Sequence, residues 1–422
     1  MRVLIVNTSE RNGGAAIAAS RLTEALKNNG IKAMMLVRDK TTDQISVVEL
    51  KKSWKLKWNF LYERFTIWRK NHFNKDNLFA VDIANRGTDI TTLPEFKKAD
   101  VIHLHWINQG MLSLKTIRKI LNSGKPVVWT MHDMWPFTGI CHYAGPCNQY
   151  ESECGNCPLI NHGQSTKDLS YKVFRKKLQL LSKAHITFVG CSNWLTNLAR
   201  KSRLLIGQSV TSIPNAININ VFYPRDKKEM RNHYNLPLNK KLILFGSAKI
   251  TDPRKGVKYL IDACNKLADE HPEMKENTGI VVFGLQSESI ASQLPFPVYV
   301  LSYIRNESDL VSMYSAVDLF VTPSLQDNLP NTIMEAMACG IPCVGFNVGG
   351  IPEMIDHTVN GYVADYKSSD DLAEGIMWVL SNPDYQQLSS SAVKKVEGSY
   401  SEGIVAMQYI QIYNNVCKRE NA

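Results

Sequence analysis

The feature that most constrains the fold is an alternation of short, β-branched apolar runs with longer amphipathic stretches, which occurs as two successive series. In the first series the predicted strands are Arg2–Asn7, Ile31–Val37, Val101–Trp106, Pro126–Met131 and Thr187–Cys191. In the second series they are Lys241–Gly246, Gly279–Gly284, Val298–Ser302, Asp318–Thr322 and Pro342–Phe346. Strands that alternate with helices form parallel sheets covered on both faces. The pattern therefore predicts an α/β protein with two doubly wound, Rossmann-like domains that face each other across a cleft.

Helical patterns lie between these runs, at Ala15–Asn29, Leu114–Asn122, Val257–Ala268, Glu307–Ser315 and Asn331–Cys339. A polar stretch, residues 210–239, separates the two series. We therefore predict an N-terminal domain over residues 1–209 and a C-terminal domain over residues 210–400. The final helical segment, residues 401–422, suits either domain, and one option is that it packs back on the first.

The composition is that of an ordinary globular protein, with 44% hydrophobic and 21% charged residues. No apolar run approaches the roughly 20 residues that a membrane-spanning helix needs. The opening residues MRVLIVN predict a strand rather than a signal peptide, and nine cysteines without an export signal favour a reducing cytoplasm. An excess of 49 Lys and Arg over 39 Asp and Glu favours anionic partners.

A pair of glycines, Gly13 and Gly14, follows the first predicted strand and opens a helix. Glycines let the backbone approach a ligand closely, and a helix N-terminus offers N–H groups to a phosphate or a hydroxyl. The pair therefore predicts a ligand-binding turn. The alternative is a tight turn with no ligand.

The densest group of candidate residues lies between Asp318 and Glu353. Asp327 lies in a loop after a predicted strand, and Glu335 follows eight positions later on a predicted helix. Carboxylates are strong acceptors for sugar and ribose hydroxyls, and the first N–H groups of a helix suit an anion. The alternative is that Glu335 pairs locally and Asp327 is a solvated loop residue.

This segment resembles the nucleotide-binding signature of glycosyltransferase family 4, which comprises retaining enzymes of the GT-B fold. In that signature two acids lie eight positions apart, after Pro-Ser and before Ala-x-Ala-x-Gly, as in Pro323–Pro330 and Glu335–Gly340. Asp327 replaces the usual Glu, and Asn328 replaces Gly. The resemblance implies that Asp327 contacts the donor sugar and that Glu335 binds the ribose. It also implies a donor-binding loop, with residues Asn328, Leu329, Pro330 and Asn331.

Two further motifs carry the resemblance. Arg254 and Lys255, before Gly256, resemble the basic turn that holds the donor diphosphate; the alternative is a solvated turn. His132 ends a strand in the position of the family's His-Asp motif, and the resemblance implies that it contacts the donor sugar or the leaving phosphate. The alternative for His132 is a core histidine. His103 and His105, on the preceding strand, are interpreted as buried or cleft-wall residues.

The resemblance implies a retaining, hexosyltransferase-type enzyme of bacterial surface-polysaccharide synthesis. It would move a sugar from a nucleotide-diphosphate donor to a hydroxyl of a glycan acceptor, lipid-linked in our interpretation. The chain has no Asp-x-Asp motif, so we expect metal-independent catalysis that requires no cofactor. The alternatives are a nucleotide-sugar epimerase of the same fold, or a non-catalytic protein that binds a nucleotide sugar or another anion.

Four cysteines, Cys141, Cys147, Cys154 and Cys157, lie in a predicted insert over residues 139–163. Four thiolates can hold zinc tetrahedrally and stiffen a loop that has little core of its own. A structural zinc is one prediction for this insert. Reduced thiols and disulfides are the alternatives.

The segment Lys51–Lys70 contains seven basic residues and one acid, and its aromatic and leucine side chains recur at helical 4-3-4-3 spacing. Aromatic side chains on one helical face, with Lys and Arg around them, suit an anionic membrane surface. We therefore predict a cytoplasmic protein with peripheral contact at the inner face of the membrane. The alternative is a stripe that packs on the domain's own sheet. Nucleic-acid binding is not expected, since no accompanying motif supports it.

Overall fold

The computed structural model describes residues 1–160, 165–301 and 306–420. These residues form two compact units. The first comprises Met1–Ala216 together with the residues from Val405 onward, and the second comprises Ile217–Ile404. The boundary lies after Ala216 rather than after residue 209, because a strand that follows residue 208 completes the first sheet. Residues 161–163 of the predicted insert, Ser302 of a predicted strand and residues 421–422 of the final segment lie outside the described residues.

The first unit contains a parallel sheet of seven strands in the order β3-β2-β1-β4-β5-β6-β7. The strands are β1 (Arg2–Val6), β2 (Lys32–Val37), β3 (Val47–Glu49), β4 (Val101–Leu104), β5 (Val127–Met131), β6 (Ile186–Gly190) and β7 (Ser209–Ser212). The helices are α1 (Gly14–Asn28), α2 (Trp54–Lys70), α3 (Pro94–Lys98), α4 (Leu114–Leu121), α5 (Leu169–Leu181) and α6 (Asn193–Lys201). Strands β4, β5 and β6 are buried along their whole length, as expected where helices cover both faces of a parallel sheet.

The second unit contains a parallel sheet of six strands in the order β10-β9-β8-β11-β12-β13. The strands are β8 (Lys241–Lys249), β9 (Thr278–Leu285), β10 (Val298–Leu301), β11 (Leu319–Thr322), β12 (Cys343–Phe346) and β13 (Gly361–Ala364). The helices are α7 (Lys227–His233), α8 (Val257–Glu270), α9 (Met274–Asn277), α10 (Glu307–Ser315), α11 (Asn331–Ala338), α12 (Ile351–Met354), α13 (Ser369–Leu380) and α14 (Tyr385–Ser399). The prediction of two parallel-sheet α/β domains is confirmed.

The last helix, α15 (Glu402–Glu420), returns to the first unit. Its Val405, Tyr409 and Tyr413 are buried in the same apolar cluster as Ile5 and Val128 of the first sheet. The helix therefore covers one face of that sheet, which is one of the two options the sequence left open. None of the helices in the described part of the chain combines the length and apolarity that crossing a bilayer requires.

Candidate functional site

The second sheet has a topological switch point between β8 and β11, because the strand order runs outward in opposite directions from this pair. In open α/β sheets, ligands bind beyond the carboxyl ends of the strands at such a point. Two loops meet there, residues 250–256 after β8 and residues 323–330 after β11. The backbone N–H of Leu325 donates to the carbonyl of Arg254 at 2.7 Å. The sequence-predicted residues of both loops are therefore neighbours.

Two glycines make this close approach sterically feasible. Gly256 has a left-handed φ of 67°, and a Cβ there would lie 1.9 Å from the carbonyl oxygen of Pro323. Gly349 has a φ of 62°, and a Cβ there would lie 1.7 Å from the carbonyl oxygen of Asp327. Any other residue would have to move the backbone in addition to adopting a strained conformation. Glycine at both positions therefore sets how the Asp327 loop lies against its neighbours.

Lys255 and Asp327 form an ion pair across the switch point, with 2.7 Å between Lys255 Nζ and Asp327 Oδ2. Both side chains keep part of their surface exposed to solvent. The structure therefore brings together a cation and a carboxylate that the resemblance assigns to the diphosphate and the sugar of one donor.

Glu335 lies on α11, where its side chain is buried. The hydroxyl of Tyr314, on α10, donates to Glu335 Oε2 at 3.0 Å. Burial, with the nearby Glu335 carboxylate, raises the pKa of Tyr314 well above its usual value, so the phenol stays a donor. Tyr314 is not among the sequence-predicted residues, because a tyrosine within an amphipathic helix has the same pattern whether or not it bonds to a neighbouring carboxylate.

The remaining predicted donor residues occupy different environments. Arg254 takes a different partner from Lys255, since its Nη2 lies 2.7 Å from Asp252 Oδ2. Partial burial opposes ionisation of Asp252, but its hydrogen bonds and ion pair with Arg254 outweigh that effect and lower its pKa. Asn328, Leu329 and Pro330 are buried, and Asn331 begins α11, which has no side-chain N-cap.

A cavity of about 640 Å³ elsewhere in the second unit lies between α8 and α13. Its charged lining is mostly acidic, with residues Lys266, Glu270, Asp365, Asp370, Asp371 and Glu374. This lining would repel the phosphates of a nucleotide, so the cavity is a poor match for the predicted donor.

In the first unit, His132 follows β5 and His105 follows β4. Their rings stack, and 2.9 Å separates His105 Nδ1 from His132 Nε2. Cys191 Sγ lies 3.5 Å from His132 Nδ1. Desolvation lowers the pKa of His132 to about 4, although Asp133 opposes the shift. His132 is therefore a neutral imidazole at physiological pH, with a polar partner at each nitrogen.

The tautomers of this pair follow from the surroundings of His105. Its Nε2 is buried and has no hydrogen-bond partner among the described residues, and burial lowers its pKa well below the usual value. An unpaired buried N–H costs more than an unpaired lone pair. We therefore assign the His105 proton to Nδ1, from which it donates to His132 Nε2. The proton of His132 is then on Nδ1, directed toward Cys191. The interpretation of His103 and His105 as buried residues is confirmed for both.

A buried charge network holds the residues next to His132. The two nitrogens of His142 lie 2.7 Å from Asp133 Oδ2 and 2.6 Å from Asp82 Oδ2, and Arg64 also bonds to Asp82. Burial favours neutral His142, but the two carboxylates outweigh that effect and raise its pKa to about 10. His142 is therefore an imidazolium that fixes Asp133, and with it the end of β5.

At the carboxyl edge of the first sheet, Gly13 directly precedes α1 and Gly14 is its first residue. Gly13 has a φ of 93°, but a Cβ there would meet no atom within 4 Å. The backbone conformation, rather than crowding, accounts for glycine at this position. The switch point of this sheet lies next to it, where the N–H of Thr8 donates to the carbonyl of Trp106 at 2.8 Å.

The four cysteines of the insert line one small cavity of about 20 Å³ and are free thiols, so no disulfide joins them. Burial raises the pKa of Cys141 and of Cys154 to about 12. Burial also raises the pKa of Cys157, although the backbone of residues 159 and 160 opposes the shift. Within the described residues, no group of three or more His, Cys, Asp or Glu side chains is arranged to hold a metal ion. The structural zinc therefore stays a prediction.

Comparison with known proteins adds to this geometry. Residues 226–396 match the family model described as "Glycosyl transferases group 1", a range that includes Lys255, Asp327 and Glu335. An uncharacterized glycosyltransferase from Methanocaldococcus jannaschii is 27% identical over 80% of this chain and 90% of its own length. The N,N'-diacetylbacillosaminyl-diphospho-undecaprenol alpha-1,3-N-acetylgalactosaminyltransferase of Campylobacter jejuni is 29% identical, but this chain spans only 60% of it.

Solved structures agree over nearly the whole chain. Sucrose-phosphate synthase from Thermosynechococcus elongatus matches with a TM-score of 0.68 at 18% identity, covering 98% of each chain. Anabaena HepE in complex with UDP-glucose matches with a TM-score of 0.64 at 16% identity, covering 98% of this chain and all of that one. At such identities these likenesses define the fold alone.

The fold and the sequence matches support one class of protein, a group 1 glycosyltransferase of the GT-B type. The particular donor and acceptor are matters for proposal.

Proposed function

We propose that this chain is a retaining, metal-independent glycosyltransferase of family 4. It transfers a hexose from a nucleotide-diphosphate sugar to a hydroxyl of a lipid-linked glycan during the synthesis of a cell-surface polysaccharide. The observation that carries the proposal is the Lys255–Asp327 ion pair at the switch point of the second sheet.

The Lys255–Asp327 ion pair supports a donor site in which both charged side chains can exchange each other for groups of the donor. In the structure, Lys255 and Asp327 neutralise each other at 2.7 Å. A bound donor replaces this contact with two new ones, as its diphosphate takes Lys255 and a sugar hydroxyl takes Asp327. The first N–H groups of α11 add partial positive charge, and fixed charges of this kind stabilise a leaving diphosphate. Arg254 adds a second cation to the same turn.

Glu335 is assigned to the ribose hydroxyls. The bond from Tyr314 fixes the orientation of its carboxylate, so that little conformational freedom remains to be lost when the nucleotide binds. His132, as a neutral imidazole, is assigned to the donor sugar or the leaving phosphate, and Gly13 and Gly14 to the donor as well. These assignments rest on the resemblance.

The chemistry implied by the class is a front-face transfer. The bond from the anomeric carbon to the diphosphate oxygen breaks, and the acceptor hydroxyl forms a new bond on the same face. The leaving phosphate accepts the proton of that hydroxyl, so no side chain has to act as a base. This chain contributes charge stabilisation through Lys255 and positioning through Asp327 and Glu335.

The lipid-linked acceptor is supported by the Campylobacter jejuni relative, whose name describes an undecaprenol-linked acceptor. It is also supported by a basic, aromatic helix in the first unit, α2. We therefore propose a cytoplasmic location, with peripheral contact at the inner face of the membrane through Lys51–Lys70.

The test is a panel of nucleotide sugars added to the purified chain, read as thermal shift, as release of nucleoside diphosphate and as changes in the sugar nucleotide itself. We expect stabilisation by one donor and release of its nucleoside diphosphate once an acceptor is present. Glu335→Ala should abolish both, whereas Asp370→Asn, a change in the acidic cavity, should not. Binding without release would favour the non-catalytic protein, and an epimerised donor would favour the epimerase.

A further inference from the structure

Helix α2 has one buried face and one exposed face. Leu56, Glu63, Arg64 and Ile67 are buried against the first unit. On the opposite face Trp54, Trp58, Leu61 and Phe65 are 71, 52, 58 and 52% exposed. The aromatic stripe therefore does not pack on the domain's own sheet, which was the alternative that the sequence left open.

In the part of the chain that the structure describes, the exposure of Trp and Phe side chains is confined to this region. Among the described residues, every exposed Trp or Phe lies between residues 54 and 79, namely Trp54, Trp58, Phe65, Phe73 and Phe79. Single exposed apolar residues are ordinary, but a contiguous aromatic patch marks an interaction surface.

The turn after α2 positions the Phe73 ring through an unfavourable backbone conformation. His72 and Phe73 both have left-handed backbones, with φ of 53° and 62°. Such conformations are unfavourable for bulky residues. The Phe73 ring packs edge-on against Trp68 at 4.8 Å between centroids and remains exposed. The strained turn thus extends the aromatic patch.

Basic side chains border the patch on both sides. At about 100° per residue, Lys57 lies on one flank of the stripe, and Lys55 and Arg69 lie on the other. All three are exposed. The acid within the helix, Glu63, points into the protein, where it accepts bonds from the N–H groups of residues 83 and 84. The exposed face is therefore apolar at its centre and cationic at its rim.

We propose that this face of α2 docks on an anionic membrane, with the aromatic side chains at the lipid interface and the basic rim against the headgroups. The proposal deepens the membrane contact in the proposed function by naming the docking face and the lipid charge. A second copy of the chain fits less well, because a two-fold contact would bring the two basic rims together.

A buried network of charged side chains connects α2 rigidly to the end of β5, so a docked α2 would fix the orientation of β5. Arg64 bonds to Asp82, which bonds to His142, which in turn bonds to Asp133 beside His132. Docking through α2 therefore sets the orientation of the end of β5 to the membrane. A lipid-linked acceptor, held in the same surface, would meet the first unit in a fixed geometry.

The experiment is sedimentation of the whole chain with vesicles of phosphatidylcholine, alone or mixed with phosphatidylglycerol. We expect binding to the anionic vesicles that weakens as salt increases. The double variant W58A/F65A should lower the partition coefficient by about tenfold or more, and Lys55→Ala by about fivefold at low salt. Tyr223→Ala and Lys275→Ala, exposed residues of the second unit, are the matched controls and should bind as the wild type does.

Failure to bind anionic vesicles, or undiminished binding by W58A/F65A, would overturn the proposal. A dimer that this variant disrupts would assign the face to a second copy instead, and capture of a single-stranded oligonucleotide in preference to vesicles would assign it to nucleic acid. The donor-induced thermal shift, measured on the same samples, separates the two proposals. Vesicle binding without any donor effect would leave the docking face intact and refute the glycosyltransferase site.

Discussion

Lys255 and Asp327 are 72 positions apart in the chain, yet their charged atoms meet at 2.7 Å where the strand order of the second sheet reverses. The contact joins the loop that follows β8 to the loop that follows β11, and these loops diverge at the switch point of a parallel sheet. It also pairs the groups that a nucleotide sugar would separate. Five features of the structure besides the docking face lead to predictions that can be measured.

Removing the cation should weaken donor binding. A bond from a charged group to a phosphate contributes about 1.5–3 kcal/mol, so Lys255→Ala should raise the donor KM by roughly 10- to 100-fold. Steady-state kinetics with the identified donor check this. Lys266→Ala, which removes a lysine of α8 and its exposed ion pair with Asp370 of α13, is the control and should leave KM unchanged. Equal KM values for Lys255→Ala and the wild type would contradict the assignment.

Removing the Tyr314 hydroxyl should affect the nucleotide more than the fold. Tyr314→Phe removes the hydrogen bond to Glu335 Oε2, and we expect the KM for the nucleotide sugar to rise about tenfold with kcat little changed. Tyr385→Phe removes another tyrosine hydroxyl bond, to the carbonyl of Asp318. It should cost a similar stability, about 1 kcal/mol, without a change in KM. If both variants raised KM to the same extent, the role of Tyr314 would be structural only.

The two loop glycines should tolerate no side chain. Gly256→Ala and Gly349→Ala each place a Cβ within 2 Å of a carbonyl oxygen, so each should lose roughly 2 kcal/mol or more of stability together with the donor-induced thermal shift. Gly30 is also left-handed, but a Cβ there meets nothing within 4 Å. Gly30→Ala should therefore cost only about 1 kcal/mol and keep the donor effect. Unaltered donor binding by Gly256→Ala would show that the loop contact is dispensable.

Stability should peak near neutral pH. The pKa of His132 is lowered to about 4, so below pH 6.5 the unfolded chain binds a proton that the folded chain does not, and stability falls toward pH 4. The pKa of His142 is raised to about 10, so its stabilisation is complete below pH 6.5 and is lost as pH rises toward 10. Each slope is at most about 1.4 kcal/mol per pH unit.

Urea midpoints from pH 5 to pH 9 measure this profile. His132→Gln should make the acid side less steep, with a remaining slope from the buried His103 and His105, whose pKa values are also lowered. His185→Gln, a change at an exposed histidine of the same unit, should leave the acid side as in the wild type. A wild-type midpoint that stays constant with pH would contradict the assigned protonation states.

The predicted zinc has a direct measurement. Chain purified without chelators should contain about one zinc per molecule, and Cys157→Ser should lower both the zinc content and the melting temperature. Cys417→Ser, outside the insert, should change neither. Zinc-free protein with the four thiols reduced and a native melting temperature would leave uncoordinated thiols as the correct interpretation.

Much of the architecture was predictable from local pattern. Strands β4, β5 and β6 are buried on both faces, and such burial demands the continuous apolar runs that mark them in the sequence. The strands that the sequence analysis missed are β3, β7 and β13, and each lies at the edge of its sheet. Edge strands bury less, so Ser209–Ser212 could form one with a single valine among polar residues.

The sequence by itself determined the order of the elements, the parallel sheets and the acids and bases at the ends of strands, because hydrophobic periodicity and turn chemistry act over a few residues. Only the tertiary structure decided which distant groups meet, such as Tyr314 with Glu335 and His105 with His132. It alone also decided that the aromatic stripe of α2 faces outward. A helical repeat of apolar side chains is the same whether it packs on a sheet or faces solvent, and the choice depends on what the rest of the chain covers.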